Sequence, residues 1–241
     1  IQELPLVDYI LVPIGGGGLA TGVSTLAKLL NPNIKVIGVE PAGAACMKAS
    51  LEKGEVVTLP HVNTIADGTA VQTPGSHIFP YIQENLDEII TVEDDELIVA
   101  FLDMVENHKM IVENSGLLTV AALRHLDFKN KKVVSILSGG NMDVITMSSV
   151  VQHGLIQRDR IFTVSVLIPD KPGELVRVAS IIAENQGNVI KLDHNQFVST
   201  NRNAAVELKI TLEAFGTDHK NQIVKALETA GCRPKVIRAS L

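Results

Sequence analysis

The sequence contains few aromatic side chains and no tryptophan. Phe, Tyr and Trp make up 3% of its 241 residues, although hydrophobic residues of all kinds make up 46%. Aliphatic side chains, mainly those of Val, Ile, Leu and Ala, must therefore fill any core. The length, together with 20% charged residues, allows one or two globular domains.

Cysteine, long apolar runs and clustered positive charge are also scarce. Cys46 and Cys232 lie far apart in the sequence, so we expect a cytoplasmic protein in a reducing compartment rather than a disulfide framework. No apolar run approaches the roughly 20 residues of a membrane span, and no signal peptide is visible. A net charge of -6 without a basic tract gives no reason to expect nucleic-acid or membrane partners.

Residues 1–156 alternate between buried strands and helices. The apolar run at 8–14 predicts a strand buried on both faces, and the patterns at 19–30 and 34–39 predict a helix and a second such strand. This β-α-β unit predicts an α/β domain with an open parallel sheet and a right-handed crossover. Further elements are predicted in the same region: strands at 88–92 and 132–137, and helices at 44–53, 80–85, 93–108, 115–125 and 142–153.

The charged segment 157–160 separates this region from one with a different order of elements. Residues 161–241 follow the β-α-β-β-α-β order of a ferredoxin-like α+β domain and have an ordinary domain size. The predicted strands of this second domain cover 161–168, 188–198, 204–213 and 234–238, and its predicted helices cover 173–186 and 218–230.

Four consecutive glycines, Gly15 to Gly18, lie between the first strand and the first helix. Glycine allows a positive φ and a close approach of the backbone to a ligand. The N-terminus of a helix adds unpaired N–H groups and a partial positive charge, so the segment predicts a phosphate-binding loop. A tight strand-to-helix turn is the structural alternative. The loop lacks the Lys-Ser/Thr ending of a P-loop, which argues against a nucleotide hydrolase. Glu40 lies after the second strand, about 20 residues beyond the loop, so a dinucleotide-binding fold stays open as an alternative.

Four motifs, in order along the chain, resemble the fold-type-II pyridoxal-phosphate (PLP) enzymes, and the threonine dehydratases among them. The motifs are VPIGGGGL at 12–19, IGVEP at 37–41, IADG at 65–68 and LSGGN at 137–141. The resemblance implies PLP as the cofactor and the dehydration of L-threonine, or of L-serine, to a 2-oxo acid and ammonia. For threonine the product is 2-oxobutanoate, which implies a role in isoleucine biosynthesis.

The resemblance also assigns residues to the cofactor. Gly15, Gly16, Gly17, Gly18 and Leu19 are assigned to the phosphate. Ser138 is assigned to the pyridine nitrogen, where a neutral hydroxyl makes the ring a moderate electron sink suited to β-elimination. Taken alone, Ser138 could instead cap the next helix. Glu113 is placed near the cofactor as an accessory catalytic residue, with a helix-terminal role as the alternative.

Two further features of the family are altered or absent. Related enzymes bind a divalent cation through residues that match Glu40, Ala44 and an acid at the position of Cys46. A hard cation prefers oxygen ligands, so no metal site is predicted. The lysine that forms the family's Schiff base has no counterpart here. Because the chain opens on Ile1 and enters the first strand almost at once, we expect a C-terminal fragment that is inactive alone.

The second domain resembles an ACT domain through DKPGEL at 170–175 and GNV at 187–189. ACT domains pair side by side, which implies a homo-oligomer, and they bind a small amino acid where two copies meet. The resemblance assigns Asp170 and Asn188 to the ammonium group and backbone N–H groups near Gly173 to the carboxylate. The complete set assigned to the effector is Asp170, Gly173, Glu174, Leu175, Asn188 and Val189.

Apolar neighbours of this predicted effector site, namely Ile168, Leu175 and Val189, favour isoleucine or valine as the regulatory ligand. Two alternatives stay open. The second domain could only dimerise, or the whole chain could be an amino-acid-binding regulatory and oligomerisation module without catalysis. His194 is the residue most suggestive of a metal ligand, but it stands alone in a strand and is expected to be a structural or interface residue.

Overall fold

A computed structural model describes residues 3–196 and 206–237 of the chain. The chain divides into two compact units, and the boundary lies between Val151 and Gln152. In the second unit, the parts of the predicted strands at 197–198, 204–205 and 238 lie outside the described residues.

The described part of the first unit is built on a parallel sheet of four strands. β1 (Tyr9–Pro13) lies between β2 (Lys35–Pro41) and β4 (Val133–Ser135), and β3 (Glu88–Val92) pairs with the other side of β2. Strands covered on both faces need apolar side chains on both, which explains the continuous apolar runs in the sequence. The predicted α/β fold with a parallel sheet is confirmed for this unit.

Five α-helices lie within the described part of this unit: α1 (Gly18–Leu30), α2 (Cys46–Lys53), α3 (Phe79–Asn85), α4 (Asp94–Asp103) and α5 (Asn114–Ala122). A sixth helix, α6 (Val144–Gln157), begins in this unit and ends beyond Val151. The helix predicted at 93–108 ends earlier, because the backbone widens into a π-helical turn at Met104–His108 and leaves the helix at Lys109, whose φ is 57°. The last helix is longer than predicted and includes Gln157, the first residue of the predicted linker. No helix in the described ranges is long and apolar enough to cross a membrane.

Alternate side chains of β1 enter two different cores. Leu11 packs on one face of the sheet with Phe101 of α4 and Leu117 of α5. Val12 packs on the other face with Ile82 of α3. All five side chains are fully buried. Burying a side chain of this size contributes about 1.5–3 kcal/mol, so the two cores hold β1 firmly at the point where its glycine loop begins.

The described part of the second unit is an antiparallel sheet with two helices. The strands lie in the order β6-β7-β5-β8, and the bounds are β5 (Ile161–Ile168), α7 (Glu174–Glu184), β6 (Asn188–Asn195), β7 (Val206–Glu213), α8 (Thr217–Thr229) and β8 (Lys235–Ile237). Val164 and Leu208 of the sheet pack against Val178 of α7 and Ile223 of α8 in one buried core. This is a β-α-β-β-α-β arrangement; its assignment as an ACT domain stays a prediction.

Candidate functional site

The loops that follow β1 and β4 meet at one edge of the parallel sheet. These strands are neighbours and run in the same direction, so their carboxyl ends lie side by side, where ligands of open α/β sheets bind. A cavity of about 190 Å³ lies at this edge. Its lining consists of Pro13, Gly15, Gly16, Gly17, Gly18, Leu19, Gly68, Thr69, Glu113, Ser115 and Ser138. The structure thus brings together all the residues that the sequence assigned to a cofactor.

Gly17 is the position in this loop that depends most on glycine. It lies at the N-cap of α1 with φ 98° and ψ -4°, a left-handed conformation. A Cβ added to Gly17 would come within 2.6 Å of Met47 Cε and 2.7 Å of Ile78 Cδ1. Gly16 and Gly18 have open space around them instead. The four glycines therefore have different tasks: Gly17 fixes the backbone, while its neighbours leave room for a ligand.

The backbone N–H groups of this loop are free to bind an anion. Within the described part of the chain, the N–H groups of Gly16 to Leu19 donate to no other protein group. The first turn of α1 contains no acidic residue that could compete for them. Free N–H groups at the positive end of a 13-residue helix fit a phosphate dianion.

Ser138 follows β4 and reaches the same cavity from the neighbouring strand. A Cβ on Gly116 would come within 2.2 Å of the Ser138 carbonyl oxygen, so α5 packs closely against this turn. The cap of α6 is Asp143, which accepts the N–H groups of Ile145 and Thr146 at 2.9 Å each. Capping by Asp143 argues against the alternative role of Ser138 as a helix cap and leaves its hydroxyl available to a ligand.

Glu113 lies between two of the loops that form the cavity. Its Oε2 accepts the N–H of Asn141 at 3.1 Å. A Cβ on Gly139 would come within 2.2 Å of the Glu113 carboxyl, and Gly139 has a φ of 83°. Although Glu113 occupies the N-cap position of α5, its side chain caps no N–H of that helix. The alternative role of Glu113 as a cap of α5 thus lacks the expected hydrogen bond. Its side chain forms part of the cavity lining instead.

Sequence reasoning missed Thr69 and Ser115, which complete the lining of the cavity. The hydroxyl of Thr69 donates to the Ala66 carbonyl at 3.0 Å and lies 3.4 Å from the hydroxyl of Ser115. A Cβ on Gly15 would come within 3.1 Å of Thr69 Cα, so this loop touches the glycine loop directly. The IADG motif ends at Gly68, one residue before Thr69, and was the signal that could have indicated it.

The buried acid Glu40 anchors a helix rather than a cation in this structure. Its two carboxylate oxygens accept the N–H groups of Met47 and Lys48 at 2.8 Å each. Burial raises the pKa of Glu40 to about 7. The pKa of the Cys46 thiol is raised to about 11, mainly by burial and also by the nearby Glu40 carboxylate. Among the described residues, including His194, no three His, Cys, Asp or Glu side chains form a group that could hold a metal.

The lysines closest in sequence to the glycine loop lie elsewhere in the sheet. Lys28 and Lys35 both form ion pairs with Asp87, at 2.6 and 3.2 Å. Asp87 also accepts the N–H of Val36 at the start of β2, so this cluster lies at the amino ends of the strands. The cavity lies at the carboxyl ends, and none of the described residues that line it is a lysine.

The two main residues predicted to bind an effector lie at opposite ends of the second sheet within one copy. β5 ends at Ile168, just before the turn that holds Asp170, whereas Asn188 begins β6. Both strands pair antiparallel with β7, in which Glu213 faces Ile161 and Asn188. Asn188 is therefore level with the first residue of β5, roughly 23 Å along the sheet from its last.

The other predicted effector residues have partners or exposure of their own. Gly173 is the N-cap of α7 with a φ of 92°, and a Cβ there would meet nothing within 4 Å. Glu174 accepts two hydrogen bonds from Arg177, and Asn188 donates to Glu213 at 3.2 Å. Leu175 and Val189 are 37% and 39% exposed. An open groove of about 690 Å³ between α7 and α8 includes none of the predicted effector residues in its lining.

The sequence profile of a family described as "Pyridoxal-phosphate dependent enzyme" matches residues 1–139. The chain belongs to this family. The match includes both the glycine loop and Ser138. PLP is the cofactor of the family, and its phosphate fits the loop.

Curated relatives cover nearly the whole chain. The L-threonine ammonia-lyase of Geobacter sulfurreducens is 39% identical over 99% of this chain and 60% of its own length. The L-threonine ammonia-lyase of Thermotoga maritima is 34% identical over 98% of this chain and 59% of its own length. The chain thus spans about 60% of the length of these relatives, and the alignments include the second unit. The predicted resemblance to threonine dehydratases is confirmed.

Solved structures resemble a smaller share of the chain. The processed form of threonine deaminase isoform 2 from Solanum lycopersicum has a TM-score of 0.59 and 37% identity, over 63% of this chain and 45% of its own. Serine racemase from Dictyostelium discoideum has a TM-score of 0.55 and 44% identity, over 59% of this chain and 47% of its own. Both likenesses support the parallel α/β fold of the first unit.

Proposed function

We propose that this chain supplies the phosphate loop, the ring-nitrogen partner and an accessory carboxylate of a PLP-dependent ammonia-lyase, which converts L-threonine to 2-oxobutanoate and ammonia. The observation that carries the proposal is the convergence of the glycine loop, Ser138 and Glu113 on one cavity. The names of the relatives point to threonine as the substrate, and L-serine is the second substrate to test.

Each group at the cavity has a separate task in this proposal. The N–H groups of the glycine loop bind the cofactor phosphate at the positive end of α1 and so fix the position of the ring. When bound, PLP supplies a conjugated system that accepts electron density as the Cα–H bond of the substrate breaks. Ser138 hydrogen-bonds the ring nitrogen without carrying a charge, which keeps the ring a moderate electron sink and favours early departure of the substrate hydroxyl.

Glu113 is the accessory residue of the proposal. Asn141 occupies its Oε2, whereas Oε1 lies 3.4 Å from the position of a Cβ on Gly68, which also lines the cavity. We assign Oε1 to hold a proton beside the ring. A carboxamide in the same place keeps the contact with Asn141 but cannot take up or release a proton, so Glu113→Gln separates the contact from the proton-holding role.

The 241 residues alone are not expected to catalyse the reaction. PLP enzymes of this kind use a lysine amine to hold the cofactor covalently and to accept the Cα proton. Within 3–196 and 206–237, no lysine lines the cavity, and Lys28 and Lys35 are engaged by Asp87 at the other edge of the sheet.

The test compares this chain with the complete protein that carries it. With PLP and threonine, the complete protein should release 2-oxobutanoate and ammonia in equal amounts, and the isolated chain should release neither. A complete protein that binds PLP but leaves threonine unchanged would refute the assigned reaction. Turnover by the isolated chain would show that an amine of its own serves the cofactor.

A module without catalysis is the alternative, and the second unit gives it a physical basis. β6 is an edge strand, and its Val189, Ile190 and Leu192 are partly exposed. Two copies that pair their β6 strands antiparallel bring Asn188 of one copy level with the Asn195 end of the other. That end is level with the end of β5, which lies across β7, and with the turn that holds Asp170. The separated halves of the predicted effector site thus come to the same end of the joined sheet.

We therefore propose that the second unit is an ACT domain that pairs through β6 and senses an aliphatic amino acid such as isoleucine or valine. Sedimentation of the chain with and without isoleucine tests this. Ile190→Lys places a charge on the edge strand and should weaken self-association, whereas the matched variant Val176→Lys, on the exposed side of α7, should not. If the complete protein is catalytically active but the chain stays monomeric and binds neither isoleucine nor valine, the ammonia-lyase proposal stands and the ACT-domain proposal is refuted.

A further inference from the structure

The glycine loop is held from outside by a segment that belongs neither to the motifs nor to the cavity lining. This support segment, residues 74–78, directly precedes α3. The N–H of Gly75 donates to the carbonyl oxygen of Gly16 at 3.0 Å. The side chain of Ile78 reaches within 2.7 Å of the position that a Cβ on Gly17 would take. Two consecutive residues of the loop thus contact the same segment.

The support segment is itself anchored in the fold. The carbonyl oxygen of Gly75 accepts the N–H groups of Ile78 and Phe79 at 3.3 and 3.1 Å, which closes a tight turn at the start of α3. Pro74 is buried, Phe79 is 6% exposed and Ile82 is fully buried. Because α3 packs into the same core as β1, the segment cannot move without disturbing that core.

The hydrogen bond from Gly75 sets the direction of a cofactor-facing N–H. In a planar trans peptide the C=O and the next N–H point in opposite directions. Since the Gly16 carbonyl points to Gly75, the N–H of Gly17 points away from the support segment. This N–H has no acceptor within the described residues. The same bond also occupies a carbonyl oxygen that would repel a phosphate dianion if the peptide turned over.

The contact of Ile78 fixes the conformation of Gly17. With Met47 it fills the space next to the Gly17 Cα. Met47 is fully buried, and its N–H donates to Glu40 at 2.8 Å. Removing the Ile78 side chain leaves a void under a residue that needs a left-handed backbone. The loop can then sample peptide orientations in which fewer N–H groups face the ligand.

We propose that Gly75 and Ile78 are positioning residues for the cofactor phosphate: they hold the Gly16–Gly17 peptide in the orientation that presents its N–H to the ligand. The inference rests on the proposed PLP site and adds residues that no motif of the sequence includes. Neither residue lines the cavity, so the expected effect falls on the phosphate alone and leaves recognition of the ring unchanged.

The test measures the affinity of the complete protein for PLP and for pyridoxal, which lacks the phosphate. Ile78→Ala and Gly75→Pro, which deletes the N–H, should lower PLP affinity about fivefold or more and leave pyridoxal affinity within about twofold. Ile78→Val serves as a milder variant if Ile78→Ala fails to fold. The matched control Ile82→Ala removes an equally large side chain from α3 without touching Gly17, and should lower thermal stability while keeping the PLP-to-pyridoxal ratio.

An unchanged ratio in Ile78→Ala, Ile78→Val and Gly75→Pro, with a wild type that prefers PLP, overturns the positioning role and leaves the PLP site intact. An equal change in Ile82→Ala overturns it as well, because the effect would then be one of general stability. A wild type without preference for PLP over pyridoxal refutes the proposed function itself, and the inference with it.

Discussion

Gly17 and Gly173 have nearly the same backbone conformation, and each lies in a turn between a strand and the helix that follows it. Each is the N-cap of a helix, follows a buried strand by a few residues, and has a left-handed backbone, with φ of 98° and 92°. Their surroundings differ. Gly17 is packed against Met47 and Ile78, whereas a Cβ on Gly173 would meet nothing within 4 Å.

The difference shows what completes each site. The first turn is enclosed by its own chain, and loops from β4 and from residues 67–69 complete a cavity around it. The second turn is open, and Asn188, its predicted partner, lies at the far end of the sheet. Local geometry alone therefore does not distinguish a finished binding site from half of one; the packing around the glycine does.

The largest expected effect concerns Glu40, which holds the packing under Gly17 through Met47. Burial raises its pKa to about 7, above the ordinary 4.5. The stability it contributes is therefore fully present below pH 4.5 and is lost as the pH rises through 7, by an amount on the order of 3 kcal/mol. Glu40→Gln should remove this loss. Urea unfolding at several pH values measures this loss as the difference in the free energy of unfolding between the wild type and the variant.

The Gln side chain has one acceptor oxygen, so it can accept only one of the two N–H groups that Glu40 accepts, and the variant is expected to be less stable for that reason alone. The test is therefore how the free energy of unfolding changes with pH, not its absolute value. Glu55→Gln is the matched control, because Glu55 is exposed and its pKa is lowered by its ion pair with Lys53. The control should show no change relative to the wild type between about pH 5 and 8. A constant difference between the wild type and Glu40→Gln over this range would contradict the account.

Gly17→Asp should have the next largest effect. It adds a side chain where Met47 and Ile78 leave no space, and a negative charge next to a phosphate dianion. Affinity of the complete protein for PLP should fall at least tenfold, about 1.4 kcal/mol. Equilibrium dialysis measures it. Gly173→Asp makes the same change at the open turn and should leave PLP affinity as in the wild type; equal losses in both variants would remove the contrast between the two turns.

Ser138→Ala should have a smaller effect, confined to turnover. Without the hydroxyl the ring nitrogen loses its partner, so kcat should fall severalfold, about 1 kcal/mol, while PLP stays bound through the glycine loop. Steady-state kinetics and the visible absorbance of the bound cofactor report the two quantities separately. Asp143→Ala, which removes the observed cap of α6, should lower the stability of that helix and keep kcat. Kinetics of Ser138→Ala equal to those of the wild type would assign the serine a structural role.

Gly173→Ala should have the smallest effect. The left-handed conformation costs a residue with a Cβ roughly 1 kcal/mol, and no contact is displaced because the space beside Gly173 is open. Thermal unfolding should register this loss, whereas PLP affinity should not change. A loss much greater than this would mean that the turn is enclosed in solution.

The sequence predicted the cavity better than it predicted the packing around it. Gly15 to Gly18 and Ser138 were identifiable because neighbouring parallel strands bring their carboxyl ends together. Ile78 was not, since its role is a contact with a residue some sixty positions earlier that follows no local pattern. Asp143, not Ser138, caps α6, and only the observed start of that helix at Val144 distinguishes the two residues.

Amide hydrogen exchange with and without PLP tests the central claim most directly, because the claim concerns the free N–H groups of Gly16 to Leu19. On addition of PLP, peptides that contain this loop should become protected, and peptides that contain the turn at 169–173 should exchange as before. Protection at both turns, or at neither while PLP is bound, would contradict the assignment of the glycine loop as the phosphate site.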